Sequence, residues 1–247
     1  MNDVDKPISQ IIRDRMVKAK HRFHANDNVA DFIKEGEFQQ LQDELTVKFG
    51  EVLDSLLIDR DNDPNSNETG LRLAKMYLRE IMGGRYEKAP KITTFPNEKY
   101  DETKQTTDAD RPPYSYSGVL VVPAELTSMC SHHHQMVKGI CYIGIIPGKK
   151  VMGLSKYVRI AQHLAKRGTL QEQLTEDVLK VIQEISETDD VAVMNISTHG
   201  CMTCRGVGAT HAYTSTAELG GRFFDIPQLR AEFYSQIEIL EKQRHSS

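Results

Sequence analysis

Two short segments hold the residue types that do metal and proton chemistry: Cys130, His132, His133 and His134 in MCSHHHQ, and His199, Cys201 and Cys204 in THGCMTCRG. Thiolate and imidazole are the donors zinc prefers, and a Cys-x2-His pair that meets a second ligand segment in space can assemble a tetrahedral site. Spacing alone leaves two metal arrangements open. In one, Cys130, His133, Cys201 and Cys204 close a structural Cys3His site. In the other, three of them hold the ion and one position stays open for water. A metal-free reading, with buried thiols and solvent-facing histidines, also fits the residues. The histidine run is not a tag, because it is short and internal. If the segment were extended, alternation would send His132 and His134 to one face and His133 to the other. Only a turn could bring His132 and His133 to bear together.

Both clusters fall at the ends of predicted strands, which would hold them rigidly. VLVVPAELTSMC and MVKGICYIGIIP are rich in β-branched residues and read as two strands around a short polar connection. GLSKYVRIAQHLAKR and LQEQLTEDVLKVIQEI have helical spacing and are separated by a break at Gly168 and Thr169. DVAVMNIST and ATHAYTST follow as two more strands, then Gly220-Gly221 and a last helix from Ile226 to Glu241. The order ββααββ predicts an α+β fold, an antiparallel sheet backed by helices, and argues against a doubly wound parallel sheet.

The 247 residues carry 31 Lys+Arg against 35 Asp+Glu, a formal charge of −4, so the chain lacks the overall basic surface of a nucleic-acid binder. No apolar run approaches the ~18 residues of a membrane helix, and MNDVDKPISQ has no signal-type apolar segment. The expectation is a cytoplasmic protein without nucleic-acid or membrane partners. Four cysteines are too few for a disulfide scaffold of this size. Residues 1–65 read as an N-terminal helical extension, with Ile8, Ile11, Ile12 and Met16 on one amphipathic helix and Phe38, Leu41, Leu45, Phe49, Leu53 and Leu57 on a second. DRDNDPNSNETG is a turn-rich break, and residues 66–247 form the main domain. Its first helix, LRLAKMYLREIM, has Leu71, Leu73, Ala74, Tyr77 and Leu78 on the apolar face and Arg72, Lys75 and Arg79 on the other. The polar stretch 97–118 reads as a long exposed loop.

MCSHHH, GLSKYVRI, LQEQLT, THGCMTCRGV and ELGG, in that order, together with the upstream ETGLRLAKMY, resemble the GTP cyclohydrolase I family from Glu68 to the final helix. The resemblance implies the tunnelling fold, a four-stranded antiparallel sheet with two helices on one face, in homo-oligomers that are usually decamers of two pentameric rings. It implies water attack at C8 of GTP, release of formate and rearrangement to 7,8-dihydroneopterin triphosphate. Water is a poor nucleophile at neutral pH, and zinc can lower its pKa to about 7. An open coordination position is then needed, and motif match makes Cys130, His133 and Cys201 the Zn2+ ligands, with Cys204 off the metal. His132 and His199 match the family's non-ligand histidines and are expected to move protons. Glu172 matches the carboxylate that accepts both guanine donors, with adjacent Gln171 helping through its backbone. Ser155 matches a residue near the ribose. Lys156, Arg159 and Arg205 match triphosphate contacts, and Arg72 and Lys75 match cations that reach a neighbouring subunit's site.

The family pattern departs at Ser131, which stands where a glutamate is usual, and at His134, Gly200 and Gly208; 101–117 resembles an insertion. Loss of a carboxylate beside a metal site can cost ~10-fold to 100-fold in affinity or activity. These differences suggest a divergent member, with slower turnover or an altered substrate. Two other functions remain open at this point: the same zinc site acting on a deoxy or modified guanine nucleotide or stopping after ring opening, and a non-catalytic oligomeric binding protein with a structural Cys3His zinc.

Overall fold

The computed structural model describes residues 6–97 and 116–246. Most of the stretch read as a long loop, and with it residues 101–115 of the expected insertion, lies outside the described residues. The chain divides into two units, one of residues up to Ala89 with Lys166–Gly168, the other of Pro90–Ala165 with Thr169 onward.

In the first unit, α1 (Ile8–Lys18) buries Ile8, Ile12 and Met16, one residue per turn, against Val29 and the flanking Phe23, Phe32 and Leu41. α2 (Glu37–Ser55) is the second expected helix, but it ends before Leu57, which is 93% exposed at a left-handed φ of 61° and belongs to no apolar face. α3 (Thr69–Lys75) packs on α2 so closely that a Cβ at Gly70 would lie 2.8 Å from the Thr46 carbonyl oxygen. The sequence boundary at residue 65 falls inside this unit. The expected helix over 71–82 changes hand-hold midway: α-helical to Lys75, it continues as a π-helical turn, Met76–Ile81, before α4 (Gly83–Tyr86).

An ion pair ties α1 to α2. The Arg15 guanidinium donates to the Glu37 carboxylate at 2.6 Å and to the Phe32 carbonyl, while the Lys34 amide donates to Glu37 at 2.8 Å. The Arg15 hydrogen bonds hold the Glu37 carboxyl below its ordinary value of 4.5, against the opposing effect of burial. Glu37→Gln is expected to cost about 1–2 kcal/mol at neutral pH. A lowered folded-state pKa gives stability that is present above the unfolded value and is lost as pH falls through the folded one. Thermal melts of wild type and Glu37→Gln should therefore converge as pH falls below the ordinary carboxylate range and through the lowered folded-state value; a gap that stays constant would remove the pair from the stability of this unit.

The second unit is built on a sheet of four antiparallel strands. A three-residue strand, β1 (Thr94–Pro96), comes first. β2 (Leu120–Met129) and β3 (Met136–Ile145) pair as a hairpin; β4 (Lys150–Met152) pairs with β1; α5 (Leu154–Ala165) and α6 (Gln171–Ser186) follow. β5 (Val191–His199) pairs with β3, and β6 (Thr214–Leu219) with β5. The β1–β4 ribbon is too short to leave a periodic signal. Alternate residues Val122, Ala124 and Leu126 of β2, Cys141 and Ile143 of β3 and Val193 of β5 pack under Tyr157, Ile160 and Leu164 of α5 and Leu174, Val178 and Ile182 of α6. Burial pushes the Cys141 thiol up to about 12, so it is an inert core residue. Gly139 is required where β3 meets β5, because a Cβ there would overlap the Ile196 carbonyl oxygen and the Ser197 hydroxyl.

Two expectations shift here. The strand read over 209–216 lies at 214–219, because the preceding residues reverse direction through Gly208 N to Arg205 O (3.3 Å) and Ala209 N to Met202 O (2.9 Å). The last helix, α9 (Pro227–His245), runs beyond the expected range after a short α8 (Arg222–Asp225). It packs Phe233 and Ile237 with Phe223 of α8 against Ile140, Tyr142 and Ala192, on the sheet face opposite α5 and α6. Helices thus cover both faces. No helix among the described residues is long and apolar enough to cross a membrane.

Candidate metal and nucleotide site

The clusters meet at one end of the sheet. Ser128, Val137 and His199 are register partners across β2, β3 and β5, so the residues just beyond them share that end. Cys130 follows β2 directly. The chain then turns through Ser131–His133, closed by His134 N donating to Cys130 O (2.9 Å) and Cys130 N donating to Gln135 O (3.0 Å). His134 takes a left-handed φ of 49° to complete the reversal. β5 runs from His199 into the single helical turn α7 (Gly200–Thr203), which places Cys201 beside the hairpin turn.

A ligand atom from each of Cys130, His133 and Cys201 lies within 4.8 Å of the other two. Cys130 is buried and Cys201 half-buried. Cys204 is exposed, with its sulfur 3.5 Å from Thr203 Oγ1, and it stands outside the group. Burial and the adjacent Cys130 thiol together push the Cys201 thiol up, while the Arg205 charge opposes them. Two neighbouring sulfurs beside an imidazole form a donor set suited to a soft or borderline divalent cation, which would stabilise both thiolates. The group can hold a metal.

The remaining residues distribute as follows. His132 is exposed, its ring 6.1 Å from that of His133 and edge-on to it. His199 is half-buried, with Nε2 2.6 Å from Gln171 Oε1. Burial holds the His199 ring below the ordinary imidazole range, and the Glu172 charge opposes this, which places that carboxylate in electrostatic reach. Gln171 and Glu172 open α6, the first buried and the second exposed. Ser155, Lys156 and Arg159 lie in the first turns of α5, with Ser155 and Arg159 exposed. Arg205 is exposed just past α7. Arg72 and Lys75 are exposed on α3 in the other unit, where Arg72 pairs with Glu68 at 3.2 Å.

The sequence reading did not single out the buried polar groups beneath His199. Asn195 and Ser197 are 1% and 2% exposed on the helix-facing side of β5. With Gln171, Ser128 and Thr169 they line a small cavity between sheet and α6. Their signal was present: in VAVMNISTH every second residue from Asn195 to His199 is polar, and a period-2 polar stripe inside a strand points to a site on one face.

The family model described as GTP cyclohydrolase I matches residues 40–238. A GTP cyclohydrolase 1 of Mannheimia succiniciproducens is 40% identical over 189 residues, 76% of this chain and 79% of that protein. One from Pasteurella multocida is 41% identical over 177 residues, 71% and 74% of the two chains. One from Aeromonas salmonicida is 36% identical over 197 residues, 79% and 83% of the two chains.

Proposed function

The chain belongs to the GTP cyclohydrolase I family, and from that premise we propose that it hydrolyses GTP at C8, releases formate and forms 7,8-dihydroneopterin triphosphate. The single observation that carries this reading is the Cys130–His133–Cys201 group standing at the same sheet end as His199, with Glu172 in electrostatic reach. The donor set fits Zn2+, held by Cys130, His133 and Cys201. Bound there, zinc supplies the Lewis acidity that makes water nucleophilic near neutral pH.

The chain's own residues do the rest. Glu172, at the exposed start of α6, accepts the N1–H and 2-amino donors of guanine through one carboxylate, a pair that adenine lacks. Backbone N–H groups in the first helical turn have no intrahelical partner, so the Gln171 amide can add a bond to the base. Ser155 contacts the ribose. Lys156, Arg159 and Arg205 gather charge against the triphosphate, and Arg72 and Lys75 reach the site of an adjacent subunit in a homo-oligomer, a decamer of two pentamers. His132 and His199 move the protons that ring opening and ribose rearrangement require. The protein acts in the cytoplasm, with residues 66–247 as the catalytic domain and 1–65 as its extension.

Zinc-loaded protein incubated with GTP should yield formate and a product that becomes a fluorescent pterin on oxidation. Intact GTP after long incubation at high enzyme concentration overturns the proposal. Ser131, in place of the family glutamate, favours one second reading, a deoxy or modified guanine nucleotide as substrate; faster turnover of dGTP than of GTP would select it.

A further inference from the structure

The hydrogen bonds around Gln171 have a direction, and it settles which nitrogen of His199 carries hydrogen. The Gln171 side chain is in a residue only 4% exposed. Its Nε2 faces the Asn195 carbonyl at 2.9 Å, the Thr214 carbonyl at 3.0 Å and Thr216 Oγ1 at 3.1 Å. Backbone carbonyls only accept, so the amide nitrogen must face them. The reversed amide would set its oxygen against two buried carbonyl oxygens and lose both of those bonds.

The threonines agree with this orientation. Thr175 Oγ1 donates to the Gln171 main-chain carbonyl at 2.8 Å and lies 2.7 Å from Thr216 Oγ1. With the Thr175 hydrogen committed to that carbonyl, the Thr216 hydroxyl donates to Thr175, and its own oxygen shares a Gln171 amide hydrogen with a carbonyl in a three-centre bond. The circuit closes with one sense. Gln171 Oε1 is left facing His199 Nε2 at 2.6 Å, and an amide oxygen can only accept. Nε2 is therefore the donor.

We infer that Gln171 is a positioning residue whose buried side chain fixes His199 as the Nε2–H tautomer, leaving Nδ1 as the ring nitrogen that this contact does not hold. The role of this side chain is separate from any contact its backbone makes to the base. It rests on the reading of His199 as a proton carrier. The Nε2 hydrogen is held by its bond to Gln171 Oε1.

Neutron diffraction from the zinc-loaded protein exchanged into heavy water tests the tautomer directly. Deuterium is expected on His199 Nε2, aimed at Gln171 Oε1, and on the Gln171 amide toward Asn195 and Thr214. A bare Nε2, or a reversed amide, overturns the inference. Gln171→Met keeps the length and removes the acceptor; kcat for GTP should fall about 10-fold to 100-fold with KM changed less than about twofold. Unchanged kcat, or a loss confined to KM, also overturns it. The neutron result needs neither that variant to fold nor GTP to be the substrate. Absence of GTP turnover in wild type would sink the proposed function while leaving the tautomer to be read.

Discussion

Cys201→Ala should emerge from purification without zinc and with kcat for GTP lowered at least about 10³-fold, the scale of several kcal/mol of lost Lewis-acid stabilisation. Cys204→Ala should keep full zinc content. The contrast follows from placement: Cys201 lies in the group whose ligand atoms are within 4.8 Å of each other, whereas Cys204, three residues on, is exposed against Thr203. Elemental analysis beside turnover reads both variants. Metal lost from Cys204→Ala as well as from Cys201→Ala would overturn the assignment and restore the structural Cys3His arrangement.

The second large effect is expected at His199. His199→Ala should lower kcat by about 10²-fold to 10⁴-fold, the range for removing a positioned acid or base, with zinc retained because the ring is no ligand. The loss should exceed that of Gln171→Met, since that variant leaves the ring in place and disturbs only its tautomer. Steady-state kinetics on both proteins orders the two. An effect on KM alone would make His199 a binding residue.

Much of this site was legible because its parts are chemically conspicuous. Cys130, His133 and Cys201 announce themselves by type, and the strands that carry them by β-branched runs ending at those positions. The choice between three ligands and four was not legible, since it depends on where one helical turn, α7, points Cys204. Gln171 was visible as the start of a helix, yet its inward side chain is decided by α6 docking over Asn195 and Thr216, contacts far away in sequence. The same limit explains β6: ATHAYTST has strand composition, but tertiary turns through Ala209 consume its first half. α9 has a weakly patterned apolar face, and only its packing on Tyr142 and Ala192 tells which side of the sheet it covers.

β3 lies between β2 and β5, so the two sulfurs come from strands about 10 Å apart across the sheet and meet over the end of the strand between them. Any cation gripped by both becomes a cross-brace on three strands at once. The end of the sheet that carries the Cys130–His133–Cys201 group is then where metal occupancy would govern local breathing, and amide exchange at the tips of β2 and β5 would report how firmly the brace is fastened.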